Sequence, residues 1–249
     1  MDVEKVYDDY WASGLHVWQQ WSEEEFKRWM SPLAGRENVL DYGCGMGLGY
    51  QPRLVKAVKK YAGADVSEMS LGDLRKKGFD AFKIDTQTSK IDCPDNTFDG
   101  AVCSEVFEHL YDPLISAREI YRVMKPGGVL VATVPNFGYH AWRTLAFLRA
   151  QVPAEPDRPK ENRFNGVHIR FFSRLMFRRL FQSAGFENVW VGNYGESSVW
   201  DVFQFGPPFC YLTSFARKRL PRPLHLEFMA DVWPNVFAQR LRAIVYKPK

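Results

Sequence analysis

Runs of apolar residues alternate with segments of helical periodicity along much of the chain. Five strand-like runs lie at 38–42, 61–66, 79–84, 98–104 and 129–134. In segments 49–60, 67–77 and 113–124, which lie between strand-like runs, apolar residues recur with the spacing of one helix face. Buried strands separated by helices are typical of a parallel sheet that helices cover on both sides. The pattern therefore predicts a three-layer α/β sandwich.

The second half of the chain continues this pattern between two irregular segments. Segments 136–170 and 195–238 contain clustered prolines and are predicted to be inserts. Between them, Ser173 precedes a helical pattern that ends at a glycine, and a strand-like run follows at 187–194. A last run at 240–247 brings the predicted strands to seven.

The first 37 residues form a different kind of segment, dense in tryptophan and tyrosine. Ser22 followed three residues later by Glu25 has the form of a capping box, which predicts a helix starting there. We therefore divide the chain into a helical aromatic cap, 1–37, and a main domain, 38–249. The cap is predicted to act as a lid, and the two inserts are predicted to form the substrate side.

Composition narrows the class of protein. The chain has 249 residues with 46% hydrophobic content, enough for a sizeable core, and a net charge of +4 that does not by itself indicate nucleic acid. The four cysteines form no C-x-x-C pair, and no apolar stretch has the length of a membrane helix. These features predict a cytoplasmic protein. Contact of the basic run 217–222 with a membrane surface is not favoured.

The most specific motif is VLDYGCGMG at 39–47, where a strand-like run ends in a carboxylate and a glycine-rich turn opens into a helical pattern. Glycines there let a ligand approach the backbone closely. The dinucleotide fingerprint would place its third glycine on Leu48 or Tyr50, and a phosphate loop would need a Gly-Lys-Ser/Thr sequence. Asp41 would repel a pyrophosphate, whereas it suits a ligand with an amine or another cationic centre.

The D-x-G-C-G-x-G sequence starting at Asp41 resembles motif I of the class I S-adenosylmethionine-dependent methyltransferases. Later segments resemble that family's further motifs in the same order, at 62–67, 82–86, 93–110 and 123–130. The resemblance covers about 39–136 and implies a Rossmann-like, mostly parallel sheet with an antiparallel last strand. Segments 168–173 and 184–186 are more loosely similar to the small-molecule subgroup of ubiquinone- and methionine-pathway-type enzymes.

The resemblance implies S-adenosyl-L-methionine as cofactor, with S-adenosyl-L-homocysteine as product. In the family, the acid at the position of Asp65 accepts hydrogen bonds from both ribose hydroxyls, and the acid at Asp85 meets the adenine amine. The cofactor-binding residues predicted in this way are Asp41, Gly43, Gly45, Gly47, Asp65, Val66, Asp85, Thr86, Ser104, Glu105 and His109.

The acceptor side is predicted from the residues around the inserts. A hydroxyl or ammonium nucleophile must lose a proton, so His168 is the predicted base and His109 its rival. Arg170 suits an anionic or strongly polar group on the acceptor. The predicted substrate-binding residues are Tyr10, Trp11, Asn136, His140, His168 and Arg170. The chain has no H-x-x-x-H pair and no paired cysteines, so no metal site is predicted from spacing.

The predicted function is methyl transfer by direct displacement to an oxygen or nitrogen of a small or medium-sized organic acceptor. Three alternatives remain open: an RNA or protein methyltransferase, a nicotinamide-dependent oxidoreductase, and a catalytically silent cofactor-binding partner protein. The absence of a separate basic module disfavours nucleic acid, and the glycine spacing disfavours the nicotinamide cofactor. The oligomeric state is not predicted.

Overall fold

A computed structural model describes residues 3–13, 23–47, 49–139, 143, 168–194 and 240–249. His140 and most of both inserts therefore lie outside the described residues. The strands are β1 Val39–Tyr42, β2 Tyr61–Asp65, β3 Asp80–Lys83, β4 Phe98–Ser104, β5 Met124–Pro135, β6 Glu187–Tyr194 and β7 Arg240–Tyr246. The helices are α1 Val3–Ala12, α2 Glu23–Met30, α3 Gln51–Ala57, α4 Glu68–Lys76, α5 Pro113–Val123 and α6 Arg174–Ala184.

The seven strands form one sheet in the order β3-β2-β1-β4-β5-β7-β6. Strands β1 to β5 pair in parallel, and β7 runs antiparallel to both β5 and β6. The predicted sheet, with its antiparallel last strand, is thereby confirmed. From β1 the sheet continues through β2 and β3 on one side, whereas β4 and β5 lie on the other side of β1. The strand order therefore reverses between β1 and β4. Ligands of open α/β sheets bind at the carboxyl ends of the strands at such a reversal.

Local sequence signals explain several element boundaries. The Ser173 hydroxyl accepts from the Met176 N–H and starts α6, which ends at Gly185 with a φ of 101° in the left-handed region. Asp112 caps α5 in the same way by accepting from the Leu114 N–H. These predicted helix ends are confirmed.

One predicted strand boundary differs from the structure. The helical segment 113–124 and the strand-like run 129–134 leave the sequence KPGG at 125–128 between them, but β5 already begins at Met124. Met124 pairs with Phe98 and Val129 pairs with Gly100, so the register shifts across this segment. Residues 125–128 therefore form an irregularity within β5, because the residues on both sides of them still pair with β4.

The predicted cap contains two structurally different parts. Helix α1 has no buried residue, whereas Trp29, Met30 and Leu33 are buried in a core cluster with Val39 and Leu54. Helix α2 and the 3-10 turn after it therefore pack as part of the main body. The domain boundary at residue 37 remains a prediction. Of the cap residues that the structure describes, 3–13 and 23–37, those of α1 have the exposure expected of a lid.

Candidate active site

The glycine turn after β1 lies at the reversal point of the sheet. Gly43, Gly45 and Gly47 have φ values of 80°, 51° and 71°, which L side chains rarely adopt. The N–H groups of Gly43 and Cys44 both donate to the Ala64 carbonyl at the end of β2, at 2.8 and 3.1 Å. The turn is therefore held against β2, with a backbone that favours glycine at three positions.

Asp41 is buried and its carboxylate is held by two tyrosines. Its two oxygens accept from the hydroxyls of Tyr50 at 2.7 Å and Tyr61 at 2.8 Å, and Gln51 donates to the Tyr61 hydroxyl at 2.6 Å. Burial raises the pKa of Asp41 to about 7, although both tyrosine hydrogen bonds lower it. The carboxylate thus links the end of β1 to Tyr50, before α3, and to Tyr61 in β2. Its contact with a cationic centre of the cofactor remains a prediction.

The raised pKa of Asp41 makes a prediction about stability. The unfolded chain has an Asp pKa of about 4, so between about pH 4 and about pH 7 the folded state binds the extra proton. The stability that Asp41 contributes is therefore full below about pH 4 and is lost as the pH rises to about 7. At 1.36 kcal/mol per pKa unit, the loss is up to about 4 kcal/mol.

Denaturant unfolding of the wild type and of Asp41→Asn, across about pH 4 to about pH 8, measures this effect. The asparagine variant cannot titrate, so the difference in unfolding free energy between the two proteins should change across this window in the stated direction. A difference that stays constant with pH would show that Asp41 titrates normally.

Asp65, at the end of β2, also anchors the glycine turn. It is 6% exposed, and its two oxygens accept from the N–H groups of Gly45 at 2.8 Å and Ser67 at 2.9 Å. Burial raises the pKa of Asp65, and these backbone hydrogen bonds oppose the rise. Each carboxylate oxygen can accept a second hydrogen bond, so the predicted bonds from the ribose hydroxyls remain compatible with this arrangement.

The predicted adenine side lies at the end of β3. Asp85 is exposed and accepts from the Gln87 N–H and from the N–H and hydroxyl of Thr88, which lowers its pKa. A cleft of about 500 Å³ opens beside it, lined by Glu4, Lys83, Ile84, Asp85, Thr86, Thr88, Lys90, Ile91 and Asp92. Asp85 thus closes a turn of its own chain, as an ordinary loop aspartate does. Its role and that of Thr86 in adenine binding stay predictions.

Helix α1 contacts the glycine turn and the segment after β2. A Cβ on Gly45 would lie 2.5 Å from the Trp11 ring, so this indole packs directly against the turn. Asp8 accepts from the Ser67 hydroxyl and from the Met69 N–H at the start of α4. Tyr10 packs edge-on against Trp11, with ring centroids 4.9 Å apart. Of the two predicted substrate-side aromatics, Trp11 therefore contacts the turn and Tyr10 contacts Trp11.

The turn after β4 brings several polar residues to the same edge of the sheet. A Cβ on Gly43 would lie 2.4 Å from Val106, so the turns after β1 and β4 are in contact. Glu105 has a φ of 56°, an unusual value for a side chain of this type, and its carboxylate pairs with Arg240 at 3.2 Å. The Ser104 hydroxyl shares a 2.7 Å hydrogen bond with that of Thr133.

Two of the predicted histidines meet at Glu108, although they are far apart in sequence. The Nε2 atoms of His109 and His168 lie 3.9 and 4.0 Å from the Glu108 Oε1, and the ring centroids are 4.9 Å apart. The N–H groups of Ile169 and Arg170 both donate to the Glu108 carbonyl at 3.0 Å, which fixes the 168–170 segment at this edge. We call Glu108, His109 and His168 the Glu108 cluster.

Glu108 is 1% exposed, and burial together with the charge of Glu105 raises its pKa well above its usual range. Tyr7 on α1 is affected by charges on two sides of the site, at Asp65 and at Glu108. Burial, with the charges of Asp65 and then Glu108, raises the pKa of Tyr7 to about 12. One tyrosine ring therefore lies within electrostatic reach of both the predicted ribose acid and the Glu108 cluster.

Other predicted residues have different surroundings. Arg170 is exposed, donates to the Tyr111 carbonyl and lies 5.6 Å from that ring centroid. Asn136 is buried, and its side-chain oxygen accepts from the Gly138 N–H at 2.9 Å. Arg170 thus turns to Tyr111, whereas His168 faces Glu108. His140 lies outside the described residues, and Val66 packs partly buried against the core.

Sequence reasoning missed three residues of this site: Tyr7, Asp8 and Glu108. Glu108 carries one signal in the sequence, because it directly precedes the predicted site residue His109 in the turn after β4. Tyr7 and Asp8 lack such a signal, because their positions depend on how α1 docks.

With this geometry established, the chain can be compared with known proteins. A family model described as a methyltransferase domain matches residues 14–191, more than half of the chain. The chain belongs to this methyltransferase family. The predicted family, and the S-adenosylmethionine cofactor that goes with it, are thereby confirmed.

Individual relatives agree. A probable S-adenosylmethionine-dependent methyltransferase of Mycolicibacterium smegmatis is 26% identical over 172 residues, 69% of this chain and 60% of the relative. A ubiquinone biosynthesis O-methyltransferase of Azoarcus sp. is 30% identical over 176 residues, 69% of this chain and 72% of the relative. The fold matches that of a SAM-dependent methyltransferase from Archaeoglobus fulgidus, with a TM-score of 0.56, 20% identity and coverage of 90% and 92%. The match thus spans about three fifths of the mycobacterial relative.

Among the helices of the described ranges, none combines the length and the apolar character needed to span a bilayer.

Proposed function

We propose that this methyltransferase transfers the methyl group of S-adenosylmethionine to an oxygen or nitrogen of a small or medium-sized organic acceptor. The observation that carries the proposal is the contact between two turns: the glycine turn after β1 and the turn after β4 that bears the Glu108 cluster. In the reaction, the acceptor atom attacks the methyl carbon, the carbon–sulfur bond breaks, and the acceptor's proton must leave. The imidazoles of His109 and His168, in the Glu108 cluster, can take part in that proton transfer.

The relatives support an oxygen acceptor in particular, since the Azoarcus protein is named an O-methyltransferase. A neutral imidazole has a pKa suited to accepting a proton near neutral pH. The polar character of the Glu108 cluster suits an acceptor that presents a hydroxyl or amine to this edge. We keep His168 as the proposed base and His109 as its rival.

Two measurements test the proposal. Calorimetric titration should show binding of S-adenosylhomocysteine and none of NADH. Incubation with methyl-labelled S-adenosylmethionine and a panel of phenols, alcohols, carboxylic acids and amines should then transfer label to at least one acceptor class. Absence of S-adenosylhomocysteine binding would remove the cofactor assignment. Binding without transfer to any member of a broad panel would favour the silent partner protein.

We also propose that α1 is a lid over the reacting centre, which would exclude water and complete the pocket. The support is its position against Gly45 through Trp11, combined with the absence of any buried residue in α1 itself. Deletion of residues 1–13 should therefore leave a folded protein that still binds S-adenosylhomocysteine. Turnover should fall about tenfold to hundredfold, because a poorly positioned acceptor loses much of the rate.

Neighbouring residues of α1 give a matched control for the lid. Asp8 docks the helix on Ser67 and Met69, whereas Asp9 is exposed. Asp8→Ala should lower turnover in the same direction as the deletion, and Asp9→Ala should turn over normally. If the deletion variant unfolds, or if it turns over like the wild type, α1 is not a lid.

A further inference from the structure

The Glu108 cluster brings together three side chains of the kinds that bind metal ions. One ligand atom from each of Glu108, His109 and His168 lies within 4.8 Å of the other two. His168 follows His109 by 59 positions, so the cluster exists only in the folded chain. Two imidazoles and one carboxylate form a common ligand set of catalytic metal sites, in which further coordination positions remain open.

The surroundings of Glu108 give a second, independent indication of a bound cation. Its side chain is 1% exposed, and neither carboxylate oxygen has a hydrogen-bond partner among the described residues. A buried polar group without a partner is costly, and most such groups in proteins are paired or bind an ion or water. Glu105 adds negative charge nearby, and one of its oxygens is also buried without a partner in the described ranges. A divalent cation would give the Glu108 oxygens a partner and would offset the negative charges of Glu108 and Glu105.

The spacing of the ligand atoms fits a metal site before metal binding. Neighbouring ligands about 2.1 Å from one ion lie roughly 3–3.5 Å from each other. The two Nε2 atoms lie 3.9 and 4.0 Å from the Glu108 Oε1, and all three ligand atoms lie within 4.8 Å of one another. Side-chain rotations that bring these atoms together by about 0.5 to 1.5 Å therefore reach the spacing of a metal site. The backbone is already fixed, because Ile169 and Arg170 donate to the Glu108 carbonyl.

We propose that Glu108, His109 and His168 bind a divalent transition-metal ion of the Zn²⁺ or Mn²⁺ type. Two of the three ligands are imidazoles, which suit these ions better than Mg²⁺ or Ca²⁺. The role in catalysis rests on the proposed function, with the ion in place of the imidazole base: an open coordination position would take the acceptor oxygen or nitrogen and lower its pKa. The acceptor's proton then leaves to solvent, its lone pair forms the bond to the methyl carbon, and sulfur keeps the electrons of the bond that breaks.

The binding test needs neither cofactor nor acceptor, so it can fail or succeed independently of the proposed function. Protein freed of metal with a chelator is titrated calorimetrically with ZnCl₂, MnCl₂ and MgCl₂, and with CoCl₂ while its visible absorption is recorded. We expect one equivalent of Zn²⁺ or Mn²⁺ to bind, more tightly than Mg²⁺. Co²⁺ should develop the absorption of a site with nitrogen ligands. Wild-type protein that binds none of these ions overturns the proposal.

Conservative variants assign the ligands. Glu108→Gln and His168→Gln should each weaken metal binding at least about a hundredfold, since even the loss of an indirect partner costs ten- to hundredfold. Glu68→Gln is the control, because that carboxylate pairs with Arg75 on the surface of α4, and it should bind like the wild type. Far-UV circular dichroism checks that each variant is folded. Stoichiometric binding that survives all of the ligand substitutions also overturns the assignment, because the ion would then lie elsewhere.

Discussion

Replacing Gly45 with valine is expected to lower the affinity for S-adenosylhomocysteine at least about a thousandfold, equivalent to about 4 kcal/mol. Gly45 has a φ of 51°, where a β-branched residue is strongly disfavoured, and its N–H donates to Asp65. A Cβ there would lie 2.5 Å from the Trp11 ring, so the turn or α1 must move. Either movement disrupts the backbone that is predicted to meet the cofactor. Calorimetric titration with S-adenosylhomocysteine measures the loss.

Gly78→Val separates this local effect from general strain. Gly78 also has a left-handed φ, 82°, but nothing lies within 4 Å of the position its Cβ would take. This control should be destabilised by its backbone conformation and should bind S-adenosylhomocysteine with nearly wild-type affinity. Normal binding by the Gly45 variant would exclude the glycine turn as the cofactor site.

The sheet could be predicted from sequence because its signals are local and repeated. Short apolar runs bounded by turns specify buried strands, and Ser173 and Gly185 mark helix ends through hydrogen bonds within a few residues. The glycine turn was predictable for the same reason, since three left-handed residues close together favour glycine. The regular alternation of apolar runs with helical segments leaves few alternatives to a parallel sheet.

The environments of the acids were less accessible to sequence reasoning. The sequence predicts that Asp41 faces the cofactor, but no linear motif connects Asp41 to Tyr50 and Tyr61, whose hydroxyls donate to its two oxygens. Asp65 likewise bonds to the backbone of the glycine turn. Both contacts depend on tertiary packing, which the order of residues does not display.

The Glu108 cluster could not be predicted from the sequence for a related reason. Linear spacing finds ligands on one helix or one hairpin, whereas the Glu108 cluster joins the turn after β4 to a segment that follows an insert. The backbone bonds from Ile169 and Arg170 to the Glu108 carbonyl create this proximity. Linear spacing alone therefore does not reveal a cluster of this kind.

His168→Ala and His109→Ala are each expected to lower turnover about a hundredfold to ten-thousandfold while S-adenosylhomocysteine affinity is preserved. Both Nε2 atoms face the same carboxylate oxygen of Glu108, so the two residues act as one unit. The double variant should therefore lose little more than the worse single variant. Ile169→Ala, an exposed neighbour in the same segment, is the matched control and should turn over normally.

The pattern of losses decides the role of each histidine. If His109→Ala alone stops turnover, the base assignment passes to His109, and if either variant loses cofactor affinity equally, that residue belongs to the adenosine pocket or the core. Removal of divalent ions from the wild type separates the two remaining mechanisms. Turnover that survives this removal, with both variants inactive, means that an imidazole takes the proton itself. Turnover that stops and returns with added Zn²⁺ or Mn²⁺ means that the histidines act as ligands, because the ion then acidifies the acceptor in their place.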